Sequence, residues 1–273
     1  MKRKLIYLTI LILIFLIFKN YTVVLDSTIT AVELWLYKVF PYLFIMIILN
    51  DILINLDFEK LFKNPSIYAL VMSLLSGSPT SAVIISNLYK NNKMDKKCAN
   101  KTLLFTYFAN PLFLYTMLNT IFKSNFLTIK LMIIHYLSNI IIYIIFKNEL
   151  NANNCENKKI KLDISSSIKK AINTTTMVLG CITFYLVICD VLNLNIVLRG
   201  ILEMTQGLNS LINANVFNKE ILAILFISFG GFSIHTQVKC ILDETNLEYK
   251  YFFKGRVMQT IIAIILTCIT QAI

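Results

Sequence analysis

The sequence has few charged residues, and this shortage argues against a soluble protein. Only 15% of its 273 residues are Asp, Glu, Lys or Arg, whereas 57% are hydrophobic. Soluble domains carry about 25% charged residues, because much of their surface faces water. The chain therefore has the composition of a protein whose surface faces lipid. We predict a multi-pass protein of the cell membrane, with the lipid bilayer as its surroundings.

Residues and motifs of common enzymatic and metal chemistry are also scarce. The chain has two histidines, and its six cysteines form no Cys-x-x-Cys pair. We therefore predict no metal and no cofactor. The HExxH, P-loop, GxGxxG and GxSxG patterns are missing, so we predict no catalytic residues and no enzyme activity. The net charge of +11 comes without an RNP, helix-turn-helix or zinc-finger pattern, so nucleic acid is not an expected partner.

Apolar segments recur along the chain and are separated by short polar spacers. Their approximate bounds are 5–25, 31–56, 66–90, 102–122, 126–146, 176–192, 195–213, 219–242 and 251–273. A helix needs about 20 apolar residues to cross a hydrocarbon core of about 30 Å, which most of these segments provide. We predict an all-α polytopic fold with two related halves, each containing an interrupted helix. The first membrane half covers 1–146, a cytoplasmic linker 147–172, and the second half 173–273.

A polar break interrupts segment 66–90. It consists of Ser76, Gly77, Ser78, Pro79 and Thr80. Proline lacks an amide donor and glycine can turn, so the helix cannot continue smoothly. Irregular backbone at membrane depth is tolerated only where it is buried in protein or lines a wet cavity. The break predicts either a re-entrant hairpin or a kinked spanning helix.

Lysines in the next loop favour the hairpin. The loop KNNKMDKKCANK contains five lysines, and lysine-rich loops are usually cytoplasmic. If the N-terminus is cytoplasmic and 5–25 and 31–56 each cross once, only a re-entrant segment 66–90 keeps this loop inside. We therefore predict that the chain turns back at Gly77-Ser78-Pro79.

The second half contains a similar interruption. Segment 219–242 breaks at Gly230-Gly231, and the triplets starting at Asp51 and Asp190 end apolar helices in the same way. Interrupted segments in corresponding positions indicate a binding site near the membrane midplane. Segment 195–213 has its own polar break. If it spans, the two halves are parallel repeats, and if it re-enters they are inverted; the sequence leaves this open.

Polar residues within apolar segments are the candidate binding residues. Glu203, followed by Thr205, is the strongest, because a buried carboxylate is costly unless it faces a cavity, pairs or is protonated. The alternative is that Glu203 lies at the wet end of a short helix. The other candidates lie beside breaks or on one helix face: Asn110, His135, Asn139, Ser233, His235 and Gln237. For the histidines and Asn139, a structural role between helices is an equal alternative.

Seven blocks, in order, carry a resemblance to a known family. They are FPYLFIMIILNDIL, SGSPTSAVIISNLY, FANPLFLYTML, HYLSN, LRGILEMTQGL, FGGFSIHTQVKCIL and FFKGRVMQ. Together they resemble sporulation integral membrane proteins of the YlbJ type, within the wider nucleoside-recognition (Gate) domain family. The resemblance covers nearly the whole chain, and it adds Arg256 to the candidate site residues. Ser78 and Asn110 depart from the usual family residues, which puts the substrate in doubt more than the fold.

The resemblance implies a membrane of the mother cell or forespore and a role in forming the spore cortex. Our first hypothesis is a transporter-like or permease-like protein for an unidentified small polar solute. The alternative is a non-transporting scaffold that positions cortex-building machinery. A homo-oligomer or other sporulation membrane proteins are the expected protein partners. Polar groups at depth favour the transporter, because a scaffold has no need of them.

Overall fold

A computed structural model describes residues 2–150 and 163–272, and these residues are almost entirely helical. The α-helices are, in chain order, α1 (Lys2–Lys19), α2 (Tyr21–Leu34), α3 (Phe40–Asn55), α4 (Pro65–Ser76), α5 (Thr80–Lys90), α6 (Lys96–Thr102), α7 (Pro111–Phe122), α8 (Asn125–Phe146), α9 (Ile164–Val191), α10 (Ile196–Leu202), α11 (Met204–Leu211), α12 (Lys219–Phe229), α13 (Gly231–Asp243) and α14 (Tyr249–Ala272). A π-helical turn, Trp35–Val39, joins α2 to α3. No strand occurs in these two ranges, which confirms the all-α prediction.

Within residues 2–150 and 163–272, five helical segments are long and apolar enough to cross a membrane. They are Tyr21–Asn55, Asn125–Glu149, Ile164–Val191, Lys219–Asp243 and Tyr249–Ala272. Two shorter apolar helices, α4 and α7, accompany them. The prediction of a multi-pass membrane protein is therefore confirmed.

The bounds of the first predicted segments were wrong. We expected separate helices over 5–25 and 31–56, but the structure has one helical run over Tyr21–Asn55. The polar residues within 26–30 do not end the helix, because the hydroxyls of Thr28 and Thr30 donate to its own carbonyls. Thr28 Oγ1 donates to Val24 O at 2.8 Å, and Thr30 Oγ1 donates to Asp26 O at 2.8 Å.

Helix α9 is also longer than predicted, because a polar residue is again accommodated within the helix. The sequence predicted a helix from about 176, but α9 begins at Ile164, with Asp163 as its N-cap. Thr175 Oγ1 donates to Ala171 O at 2.8 Å, so this polar residue is accommodated within the helix. Part of the predicted linker 147–172, residues 151–162, lies outside the described residues, and its final part is the beginning of α9.

Segment 66–90 forms a hairpin. Helices α4 and α5 pack against each other on either side of Gly77-Ser78-Pro79. Gly77 has φ = 75°, a left-handed value that favours glycine. Each arm has about twelve residues, so it reaches only about half-way through a 30 Å core. Of the two interpretations of this break, the structure contains the re-entrant one.

A second hairpin lies in segment 195–213. Helices α10 and α11 also pack against each other, with Glu203 at the tip between them. By contrast, α12 and α13 continue along one 25-residue span that is interrupted at Gly230-Gly231. The break at Gly77 therefore corresponds to Glu203, and we were wrong to pair it with Gly230-Gly231. The counterpart of that glycine pair is the non-helical stretch 103–110, between α6 and α7.

Each half thus contains the same order of elements: a spanning helix, a hairpin, an interrupted span and a second spanning helix. The chain of the first half passes from one face of the molecule to the other three times, through α2–α3, α6–α7 and α8. An odd number of crossings makes α9 begin on the face opposite to the start of α2. The repeats are therefore inverted, which answers the question that the sequence left open.

Polar contacts repeat with the same symmetry. Ser167 Oγ donates to Asp51 Oδ2 at 2.5 Å, and Ser27 Oγ donates to Asp190 Oδ2 at 2.7 Å. Both aspartates also pair with a basic residue, Asp51 with Lys170 and Asp190 with Arg199. Each aspartate near the end of one long helix thus meets a serine near the start of the other, so α2–α3 and α9 lie antiparallel.

The lysine-rich loops share one face of the molecule. Three contacts link them: Lys90 with Glu244 at 2.9 Å, Asn64 Nδ2 with Leu150 O at 2.6 Å, and Glu248 N with Asn100 Oδ1 at 2.8 Å. The opposite face contains the contact of Asn218 with Gln271 at 2.9 Å. The positive-inside rule assigns the lysine-rich face to the cytoplasm.

One lysine of this face is buried. Lys93 is 6% exposed, pairs with Asp57 at 2.5 Å and Glu59 at 2.9 Å, and donates to Ile54 O. The side chains of Lys60 and Lys93 hold the pKa of Asp57 below its usual value. Lys93 therefore connects the loop after α5 to the end of α3, which anchors the open end of the first hairpin.

We expect a cysteine at Lys97, which is exposed in α6, to react with a membrane-impermeant maleimide only from the cytoplasmic side. A cysteine at Phe217, which is 98% exposed on the opposite face, is the matched control and should react in whole cells. The measurement compares labelling in whole cells and in inverted vesicles. Labelling of position 97 in whole cells would contradict the hairpin topology.

Candidate functional site

Each hairpin tip contacts the interrupted helix of its own half. Ser78 N–H donates to Phe108 O at 2.7 Å. A Cβ atom on Gly77 would lie 2.9 Å from the backbone nitrogen of Asn110, and one on Gly231 would lie 2.9 Å from that of Met204. Glycine is required at both positions, since backbone approaches backbone there. The two tips and the two breaks therefore form one layer across the middle of the protein.

A cavity of about 90 Å³ lies in this layer, with room for several water molecules. It lies between the hairpin tips and the long helices α3 and α9. Seven of the candidate residues line it, namely Ser76, Ser78, Pro79, Asn110, Glu203, Thr205 and Gln237. The structure thus brings residues from both halves to one cavity, although the sequence separates them by 93 positions or more.

Glu203 lies at the tip of the second hairpin and lines this cavity. Its side chain is 3% exposed, and Oε2 accepts the N–H of Gln206 at 2.7 Å as the N-cap of α11. Among the described residues, no basic group lies within 4.0 Å of its carboxylate. Glu203 therefore lies at the buried tip of a hairpin and not at the wet end of a helix.

Hydroxyl groups of the first tip are available to a ligand. The Oγ of Ser78 is buried and has no hydrogen-bond partner among the residues that the structure describes, and the same holds for Oγ1 of Thr80. Ser76 Oγ, by contrast, donates to Met72 O at 2.6 Å. A buried hydroxyl without a partner costs free energy, so the first tip offers hydrogen bonds that its own fold leaves unused.

Three further cavity residues were missed in the sequence. Lys38 belongs to the π-helical turn Trp35–Val39, and Tyr42 and Tyr107 line the same cavity. π-Helical turns within helices often lie at functional sites. The signal for Lys38 was a lysine near the middle of segment 31–56, but we treated lysines only as markers of cytoplasmic loops.

Three predicted site residues support the non-helical stretch 103–110. Ala109 N–H donates to His135 Nε2 at 3.1 Å, and Asn139 Nδ2 donates to Tyr107 O. Arg256 Nη2 donates to Leu104 O at 3.2 Å and to Asn139 Oδ1 at 3.3 Å. These side chains satisfy free backbone groups, and the described cavity lining does not include them.

Gln259 completes this support and was also missed. Its Oε1 accepts from Arg256 Nη1, and its Nε2 contacts His135 Nδ1 at 3.2 Å. The guanidinium of Arg256 lies 4.3 Å from the ring centre of Tyr107. Tyr107 both lines the cavity and contacts this buried cluster, so the cluster holds this part of the cavity lining in place.

The remaining candidates lie around the second break. His235 Nδ1 is 2.7 Å from Tyr249 Oη, and Nε2 is 3.1 Å from Phe229 O. Gln237 Nε2 donates to Ser233 Oγ at 3.4 Å. Gly230 has φ = 85° and lies against the Tyr107 hydroxyl. In this structure His235 is bonded to the protein, as its structural interpretation predicts.

The chain is similar to the sporulation integral membrane protein YlbJ of Bacillus subtilis (strain 168). The two are 25% identical over 329 aligned positions, which cover 93% of this chain and 81% of YlbJ. The resemblance to YlbJ-type proteins is confirmed. No family model matches the chain, and no solved structure matches it. The wider nucleoside-recognition (Gate) domain kinship therefore stays a prediction.

We expect Gly231→Ala to lower the thermal stability of the detergent-purified protein. Alanine in a left-handed conformation costs about 1–2 kcal/mol, and its Cβ would also approach Met204 N within 2.9 Å. Gly180→Ala is the matched control, because a Cβ at Gly180 meets nothing within 4 Å. Equal melting temperatures for the two variants would show that the break at Gly231 tolerates a side chain.

Proposed function

We propose that this protein is a permease-like sporulation membrane protein that moves a small polar solute and thereby contributes to formation of the spore cortex. The observation that supports transport is Glu203, a buried carboxylate without a basic partner at the tip of a hairpin, in a cavity shared by both halves. A charge at this depth is costly, so a function that needs it explains its presence.

The arrangement of the elements also supports transport. Inverted repeats with interrupted helices meet at one layer, and half-helix ends point their backbone groups into such layers in known transporters. The cavity offers a carboxylate, an amide and the hydroxyl of Ser78, which has no partner among the described residues, and these groups suit a solute that forms hydrogen bonds. Sporulation enters through the similarity to YlbJ, whose name places that protein in sporulation, whereas the cortex is what the resemblance to YlbJ-type proteins implies.

An enzymatic role is not part of the proposal. A serine hydrolase requires a base beside its nucleophile. Ser76 at the cavity donates to a backbone carbonyl, and both histidines bond to other parts of the protein. The non-transporting scaffold is the competing function, and it gives no role to the polar cavity.

The test is Glu203→Gln. Glutamine keeps the shape and an acceptor for the N–H of Gln206, so the variant should remain in the membrane at normal abundance. An amide cannot bind a cation or exchange a proton in the same way, so we expect a sharp loss of heat-resistant spores. The measurement combines spore yield with membrane abundance of the tagged protein.

The control is Glu33→Gln, which removes a carboxylate from an exposed position on α2. We expect normal spore yield from this variant. Normal spore yield from Glu203→Gln at normal abundance would contradict transport through this cavity, and the scaffold would then be the better explanation.

A further inference from the structure

A second polar cavity, of about 190 Å³, opens on the cytoplasmic side of the first hairpin. It lies between α5, α9 and α13. Hydroxyl and amide side chains line it: Ser86, Asn87, Asn173 and Thr174. Ser86 is 3% exposed, and its Oγ has no hydrogen-bond partner within the described part of the chain. This cavity therefore contains a buried polar group that the fold does not satisfy.

The two cavities are lined by the same faces of the same helices. On α9, Asn173 and Met177 line the cytoplasmic cavity, and Val178 and Ile182 line the midplane cavity. Residues three or four positions apart share one helix face. The α9 face that borders the midplane cavity therefore continues to the cytoplasmic end of the helix.

Helices α13 and α5 show the same continuity. On α13, Gln237 lines the midplane cavity, and Cys240 and Glu244 line the cytoplasmic one. On α5, Val83 and Asn87 follow from the tip at Pro79. Helices α9 and α13 thus line both cavities, and α5 runs from the tip residue Pro79, which lines the midplane cavity, to the cytoplasmic cavity and the lysine-rich loops.

Apolar side chains also line the two cavities, Val83 and Ile241 the cytoplasmic one and Val178 the midplane one. Val83, Val178 and Ile241 are all less than 9% exposed, and they come from the three different helices. At the cytoplasmic mouth the charged groups pair with each other, Lys90 with Glu244 at 2.9 Å and Lys170 with Asp51 at 2.8 Å. Of the polar groups between these two zones, Asn87 Nδ2 already donates to Asp51 Oδ1 at 3.0 Å, whereas the hydroxyl of Ser86 has no partner in the described part of the chain and is available to a hydrogen-bonding solute.

We propose that the two cavities are successive sites on one path, along which a polar, hydrogen-bonding solute passes between the midplane and the cytoplasm. Val83, Val178 and Ile241 close this path in the described conformation. The cytoplasmic cavity is then a second solute site, with Ser86, Asn173 and Thr174 as its binding groups. This inference rests on the proposed transport function, and it assigns the route to the interface of the first hairpin with α9 and α13.

Cys240 is a natural probe of this path, because it is exposed and lines the cytoplasmic cavity. In protein with Cys155 and Cys268 replaced by Ser, a charged, impermeant maleimide should label Cys240 in inverted vesicles but not in whole cells. A second protein adds Cys240→Ser and Gln237→Cys, which moves the single accessible thiol to the midplane cavity. We expect labelling of this thiol from the cytoplasmic side as well.

Two comparisons make the result specific. Gly180→Cys, in the Cys240→Ser background, is at the depth of Val178 and Ile182 but faces open space, so lipid should protect it from a charged reagent. Val83→Trp, added to each of the two proteins, should block labelling at position 237 in the second protein and leave Cys240 labelled in the first. Failure to label position 237 from the cytoplasm, or equal labelling of position 180, would overturn the path.

Labelling does not depend on the solute, so it separates this inference from the proposed function. Loss of spores in Glu203→Gln without labelling at position 237 would reject the path alone. Labelling at position 237, combined with normal spore yield from Glu203→Gln, would support the water-accessible path and reject the transport function that we assign to it.

Discussion

The rest of the structure depends on how the free backbone groups of 103–110 are satisfied. Water is scarce at membrane depth, so an interrupted helix persists only if protein groups bond its N–H and C=O groups. Asn139, His135 and Arg256 do this from α8 and α14, and Gln259 holds two of them in place. The supported stretch then presents Phe108 O to Ser78 of the first hairpin.

In the second half, the interruption of the helices is accommodated in a different way. Its hairpin tip is capped by Glu203, and its interrupted span bends at Gly230 and Gly231, whose positive φ values need no supporting cluster. One half therefore contributes a carboxylate to the central cavity and the other contributes hydroxyls. The two halves have the same order of elements, but they line the cavity with different chemical groups. Such a difference is suited to orienting a polar solute.

Much of the candidate site was predictable, because polar residues stand out in apolar segments. Ser78, Asn110, Glu203 and Gln237 were all identified in this way, and all line one cavity. The prediction could not separate groups that face a cavity from groups that bond the backbone. His135 and Asn139 are as polar as Gln237, but their partners are carbonyl and amide groups of a stretch distant in sequence.

By itself, the sequence determined that the chain is helical, that it lies in a membrane and that two of its segments are interrupted. These properties follow from composition, from lysine placement and from local Gly and Pro chemistry. Only the tertiary structure decided that the repeats are inverted and that Glu203, rather than the glycine pair, is the counterpart of the Gly77 turn. The physical reason is that a hairpin and a kinked span contain similar residues. They differ in whether their two arms pack against each other, and that depends on the helices around them.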